Sequence, residues 1–214
     1  MYIIFPNDPT TDFMDPVLDA VNNLVIDGSL KVIRCAADDP SYEKARREIQ
    51  DIPPGSKVVF IGHSTSSMLF GGESVDYPRA ALVKKDEMGL FKDRQLFLIS
   101  CFSAGLMKSS RPFRNKASCL GFGLLPSEIG ELGDHGNISK IGLTEEDILS
   151  FREILSEVMS YLVAHWLDDG KTLYSTYDLF KVLVNKKIND CLLKENNARL
   201  AELLFYISHE AVVE

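Results

Sequence analysis

The sequence predicts an α/β protein with a mostly parallel central sheet flanked by helices in three layers, followed by a helical C-terminal extension. Three observations predict it. Short apolar runs at residues 57–62 and 95–100, bounded by polar residues, have the composition of strands covered on both faces. Strand and helix signals alternate through the first 125 residues, as in a sheet with helices on either side. From residue 144 the strand signals stop and only helical periodicity remains.

The elements follow in order. Residues 2–5 form a first strand, and residues 12–25 carry helical spacing through Phe13, Val17, Val21 and Leu24. Residues 30–36 are a second strand, and residues 42–49 a charged helix closed off by Pro53-Pro54-Gly55. The run 57–62 ends on His63, and an irregular stretch occupies residues 64–78. A helix is expected over residues 80–91. The run 95–100 ends on Cys101, followed by a short helix or loop carrying Arg111, Arg114 and Lys116, and by a fifth strand over residues 117–125. Thr144-Glu145-Glu146-Asp147 has the form of a capping box, and Ile148, Phe151, Leu155, Val158, Leu162 and Trp166 continue it as one apolar stripe until Gly170. Further helices are expected over residues 175–193 and 197–209. The organisation is thus an α/β core at 1–126, a Gly-rich loop at 127–143, and a helical region at 144–214 packed on the core.

Composition narrows the function. Hydrophobic residues make up 45% and charged residues 25%, as in an ordinary soluble globular protein. A net charge of −8 argues against nucleic acid as the main partner, because phosphate binding needs a basic face. No apolar run is long enough to span a membrane, and the N-terminus reads as a strand rather than a leader, so a cytoplasmic location is expected. Four scattered cysteines make no disulfide framework, and without CxxC or HxxxH spacing no metal site is expected. Cys35, Cys119 and Cys191 suit ordinary packing roles. His135 suits an exposed loop, and His165 a partly buried helix face.

The chemistry concentrates at two strand ends. In open α/β sheets, ligands bind beyond the carboxyl ends of the strands. His63 and Cys101 are both delivered to that edge, which supplies the parts of a base-activated thiol nucleophile. The backbone N–H groups of Cys101 and Ser64 are the candidate oxyanion donors. Ser103-Ala104-Gly105 would let a substrate backbone come close.

At Phe60-Ile61-Gly62-His63-Ser64 and Leu98-Ile99-Ser100-Cys101-Phe102-Ser103-Ala104 the chain resembles the caspase-like (clan CD) cysteine peptidases, nearest in motif style to the bacterial CHAT and clostripain-type branch. The resemblance covers about residues 1–125. It implies the caspase-like three-layer fold, with Cys101 as nucleophile, His63 as base and no cofactor. Where the family has glycine after the histidine, this chain has Ser64, which would be strained if that position needs a positive φ. The family also builds its S1 pocket from the loop after the first strand. That makes Asp8, and then Asp12, candidates for binding a basic P1 side chain, although either also suits an N-cap.

Two other readings use the same residues. Gly62-His63-Ser64-Thr65-Ser66 nearly matches a serine nucleophile elbow with Ser64 as nucleophile, a motif that needs a helix directly after the serine. A non-catalytic caspase-like interaction module is the other. The expectation carried forward is a cysteine endopeptidase acting on a protein or peptide, with the C-terminal helices open to a regulatory protein.

Overall fold

A computed structural model describes residues 1–114 and 117–214; Lys116 lies outside them. The strands are β1 (Tyr2–Ile4), β2 (Lys31–Ile33), β3 (Lys57–Ile61), β4 (Ser64–Thr65), β5 (Met68–Phe70), β6 (Ala81–Lys84), β7 (Gln95–Ile99), β8 (Ser118–Gly121) and β9 (Val212–Val213). The helices are α1 (Pro16–Ala20), α2 (Asn22–Ile26), α3 (Asp39–Gln50), α4 (Ser103–Ser110), α5 (Glu145–Leu167), α6 (Leu173–Leu193) and α7 (Ala198–Glu210). Six strands form one sheet in the order β2-β1-β3-β7-β8-β9, parallel except for β9. The fold is therefore α/β with a mostly parallel sheet flanked by helices.

The period-two alternation of each strand divides the core into two layers. Ile3, Val59, Ile61, Phe97 and Leu120 face one side, where α1, α5, α6 and α7 cover them. Ile4, Val58, Phe60, Leu96, Leu98 and Cys119 face the other, against α3, α4 and a small second sheet. The C-terminal helices thus supply most of one layer of the sandwich, with α1 beside α5 in the same layer. Phe97 meets Trp166 edge to face at 5.9 Å, and Phe122 meets Phe180 likewise at 5.2 Å. Lys57 on β3 donates to the carbonyls of Trp166 and Asp168 at 2.6 and 2.8 Å, a cation satisfying the open C-terminal end of α5.

Helix starts follow side-chain chemistry. Asp38 caps α3 by accepting the Ser41 N–H at 2.7 Å, with Pro40 in the first turn. Thr144 and Asp147 exchange bonds as the capping box of α5. Asp147 also accepts from Asn197 and pairs with Arg199, which fixes the start of α7 against the start of α5.

Several expectations are corrected. Residues 80–91 are not one helix: Ala81–Lys84 is strand β6, and the helical turn Lys85–Phe91 is 3-10. The irregular stretch holds β4 and β5, which pair antiparallel with each other and with β6 in a three-stranded sheet. The single helix over 12–25 divides into a 3-10 turn (Pro9–Met14), α1 and α2, with breaks at Asp15 ahead of Pro16 and at Val21. The Gly-rich loop contains 3-10 turns at Ile129–Asp134 and Ile138–Lys140. His135 is only 17% exposed in its side chain and bonds Glu210 of α7 at 2.6 Å. Among the described residues, no helix is long and apolar enough to cross a membrane, and no His/Cys/Asp/Glu group is arranged to hold a metal.

Candidate active site

β3 and β7 pair in parallel with Val59 beside Phe97 and Ile61 beside Ile99. His63 and Cys101 each follow two residues after that last pair, and the Gly62 N–H bonds back to the Ile99 carbonyl at 3.2 Å. Both therefore stand at the carboxyl edge of the sheet, at the ends of neighbouring strands. Both side chains line one cavity of about 20 Å³, together with Thr11, Phe13, Leu125 and Ser127. That is room for about one water molecule. His63 and Cys101 are each 8% exposed, so the site is closed.

Cys101 stands at a sharp strand-to-helix turn. Phe102 takes a left-handed conformation (φ 55°, ψ 17°), rare for a bulky residue and costing about 1–3 kcal/mol unless the surroundings enforce it. They do enforce it. The Phe102 N–H donates to Gly123 O at 2.7 Å, the Ala104 N–H to Phe122 O at 2.8 Å, and the Phe122 N–H to the Ser103 hydroxyl at 2.9 Å. The turn leaves the thiol just before the N-terminus of α4. Leu125 grips the sulfur twice: Sγ–H donates to its carbonyl at 3.1 Å, and its N–H donates back at 3.3 Å. The other cysteines are buried as well, and burial pushes Cys119 up to about 12 and Cys191 up to about 11.

His63 is oriented from the β1 side. Asp8 caps the 3-10 turn, accepting the Thr10 N–H at 3.0 Å and the Thr10 hydroxyl at 2.7 Å. Thr10 Oγ1 lies 2.6 Å from His63 Nε2. Because Thr10 gives its proton to Asp8, its oxygen accepts from His63. This assigns the proton to Nε2 and leaves the Nδ1 lone pair free to accept one. Burial first, then the Arg79 charge, push His63 below its ordinary pKa, against the opposing pull of Asp8, Glu131 and Glu73. The imidazole is therefore neutral at neutral pH. Burial raises the Asp8 pKa, but the Thr10 hydroxyl, His63, the Thr10 N–H and Arg79 together bring it below the usual carboxylate value.

Asp8 is buried, and the cation it meets belongs to its own chain. Arg79 approaches Oδ2 with Nη2 at 2.9 Å and Nε at 3.2 Å, and reaches Glu73 at 2.6 Å. The loop that brings Arg79 here is pinned at Gly72. A Cβ there would fall on the Cys35 carbonyl oxygen and 2.9 Å from the Asn7 carbonyl oxygen, so only glycine permits the approach. Asp12 points to solvent from the 3-10 turn. On the far side of the imidazole, Glu131 Oε1 lies 3.8 Å from Nδ1. The other oxygen of Glu131 accepts from the Ser127 N–H and hydroxyl at 2.6 and 3.1 Å.

Ser64 is not a positive-φ position, so the strain expected of a serine in the family's glycine place does not arise. Its hydroxyl donates to the Cys101 carbonyl and shares a hydroxyl–hydroxyl bond of 2.8 Å with Ser100 Oγ. The chain then continues into the β4–β5 hairpin, without the helix that a serine elbow needs. The elbow-like turn belongs to Cys101.

Thr10, Arg79, Leu125 and Glu131 were not singled out in the sequence as site residues. The 3-10 turn after an Asp-Pro-Thr-Thr run was the only local signal for any of them, and it marks a cap rather than a partner for His63. No protein-family model matches this chain and no curated protein matches its sequence.

Proposed function

We propose that this protein is a caspase-like cysteine endopeptidase in a closed state. The observation that carries the reading is the meeting of a neutral histidine base and a cysteine in one cavity, on adjacent parallel strand ends. In the proposed reaction, the Cys101 proton passes to His63 Nδ1 and the thiolate attacks the peptide carbonyl. The N–H groups of Cys101 and Ser64 hold the oxyanion. Collapse of the intermediate breaks the C–N bond, the amine leaves with the proton from His63, and a thioester remains on Cys101. Water, deprotonated by His63, hydrolyses it and restores the thiol.

Asp8 enters this reading as the residue that orients His63 through Thr10. A basic P1 side chain would have to displace Arg79 from it, so the proposal does not include a basic preference. A peptide bond does not fit a 20 Å³ cavity, so the segment from Leu125 to Glu131 must move first. A regulatory protein on the C-terminal helices, which expose Tyr161, Tyr174 and Leu193, is one means of moving it.

The closed cavity and the grip of Leu125 on Cys101 favour a second reading, a caspase-like module that binds without cleaving. An acyloxymethyl-ketone probe separates the two. Labelling of the wild type that is lost in Cys101→Ala supports the peptidase. An unlabelled protein after the 125–131 segment has been opened by proteolytic nicking would leave the binding module.

A further inference from the structure

We propose that Arg152 and Ser156 form a carboxylate-binding subsite beside the catalytic cavity, which takes an acidic side chain of the peptide substrate. The proposal rests on the peptidase reading and names the substrate class of that same site.

Arg152 lies on α5, half-buried, with its guanidinium carbon 4.7 Å from the centre of the Phe13 ring. Stacking holds the plane and leaves the N–H edges for a partner. In a chain with 31 acidic residues against 23 basic ones, a partner would be expected. Among the described residues none reaches ion-pair distance. The helix explains why: three and four residues away stand Ile148, Leu149, Leu155 and Ser156, none of them acidic. Ser156, one turn on, is 7% exposed and its hydroxyl oxygen is buried without a hydrogen-bond partner. A buried hydroxyl left in this way is uncommon and asks for a ligand.

Both residues line a surface depression of about 480 Å³ whose wall includes Phe13. Phe13 also lines the cavity of His63 and Cys101. A second depression, about 340 Å³, flanks Arg152 on its other side and runs over Ile129 to Ser127, again a cavity-lining residue. Arg152 therefore lines both depressions, and each shares one wall residue with the cavity of His63 and Cys101. Leu149, 56% exposed, lines both and offers an apolar neighbour to the bound chain.

The chemistry selects a monoanion. A guanidinium fork and one hydroxyl match the two oxygens of a carboxylate. Glu153 and Glu157 line the same depression, and Glu128 and Glu145 the next, so a dianionic phosphate or a second acidic residue meets repulsion. A carboxylate could come from a Glu or Asp side chain or from a chain terminus.

The experiment uses the full chain labelled with 15N, reading the Arg152 Nε–H signal while acetyl-glutamate amide, acetyl-glutamine amide, acetyl-glycine free acid or inorganic phosphate is added. The glutamate compound should move the signal, and the glutamine compound should not. Binding should be lost in Arg152→Gln, partly kept in Arg152→Lys, and weakened several-fold in Ser156→Ala. Capped peptide pools with a fixed Glu should compete about ten-fold better than the matching Gln pools. Equal binding of Glu and Gln, or preference for phosphate, overturns the proposal. Binding of acetyl-glycine without acetyl-glutamate amide assigns the site to a chain terminus and overturns the side-chain claim. Labelling of Cys101 by an uncharged acyloxymethyl ketone is scored separately. If Glu is discriminated while Cys101 stays unlabelled, the peptidase reading fails and the subsite stands; the converse removes the subsite alone.

Discussion

Replacing Thr10 by valine keeps the branched shape and removes one oxygen, the one that joins Asp8 to His63. That oxygen makes bonds of 2.7 Å to Asp8 and 2.6 Å to His63 Nε2. A hydrogen bond to a charged group contributes about 1.5–3 kcal/mol, and a buried donor left unpaired costs about 1–3 kcal/mol. Asp8 keeps the Thr10 N–H and the Arg79 fork, so its loss falls at the lower end. The imidazole is only 8% exposed, so its loss falls in the range for a buried unpaired donor. The sum is about 2.5–4.5 kcal/mol. Thr11→Val is the control: its hydroxyl donates to the Asp8 carbonyl at 2.9 Å and does not touch His63, so it should cost about 1 kcal/mol. Urea unfolding at neutral pH measures both, and Thr10→Ser should recover most of the loss. Imidazole 15N spectra of the wild type should show the proton on Nε2. A proton on Nδ1, or equal costs for Thr10→Val and Thr11→Val, would refute the assignment of Thr10 as the link.

Burial and Arg79 hold His63 below its ordinary pKa. As pH falls, the unfolded chain therefore takes up this proton first. The stability from the neutral ring is complete above about 6.5 and is lost as pH falls through the lowered folded value. Urea midpoints should fall more steeply between neutral and mildly acid pH in the wild type than in His63→Leu. Lys57→Met frees the carbonyls of Trp166 and Asp168 at the end of α5 and should lower stability by about 1–2 kcal/mol in thermal melts, with Lys57→Arg milder. Gly72→Ala drives a methyl group into two backbone carbonyls and should destabilise by about 1–3 kcal/mol. It should also release Arg79 from Asp8, seen as a change in the Arg79 Nε–H signal.

The sheet was legible because its central strands are continuous apolar runs whose two faces are both covered, so local composition and tertiary burial agree. Residues 80–91 misled for the opposite reason. Ala81-Leu82-Val83-Lys84 is a strand only because β5 lies beside it, and β5 itself hides in a stretch of small and polar residues. The last strand is two residues long and could not be read locally. In the site, His63 and Cys101 declared themselves by standing at strand ends. Thr10, Arg79 and Leu125 did not, because each acts through a contact that crosses between separate elements. Asp8 stands in the loop after β1, and its charge is met by Arg79 of the same chain.

The antiparallel addition of β9 to β8 has a consequence for how the site opens. Beyond Val213, Glu214 exchanges two backbone bonds with Cys119 at 2.9 Å, and its side chain pairs with Arg114. β8 in turn runs on through Phe122 and Gly123 to Leu125, so the ribbon that grips the thiol is the continuation of the strand that β9 closes. An edge of so few bonds opens at less cost than the central strands. The free energy of fraying that edge and the free energy of unveiling Cys101 are thereby drawn from one account, and hydrogen exchange at the Leu125 amide should track exchange at Glu214.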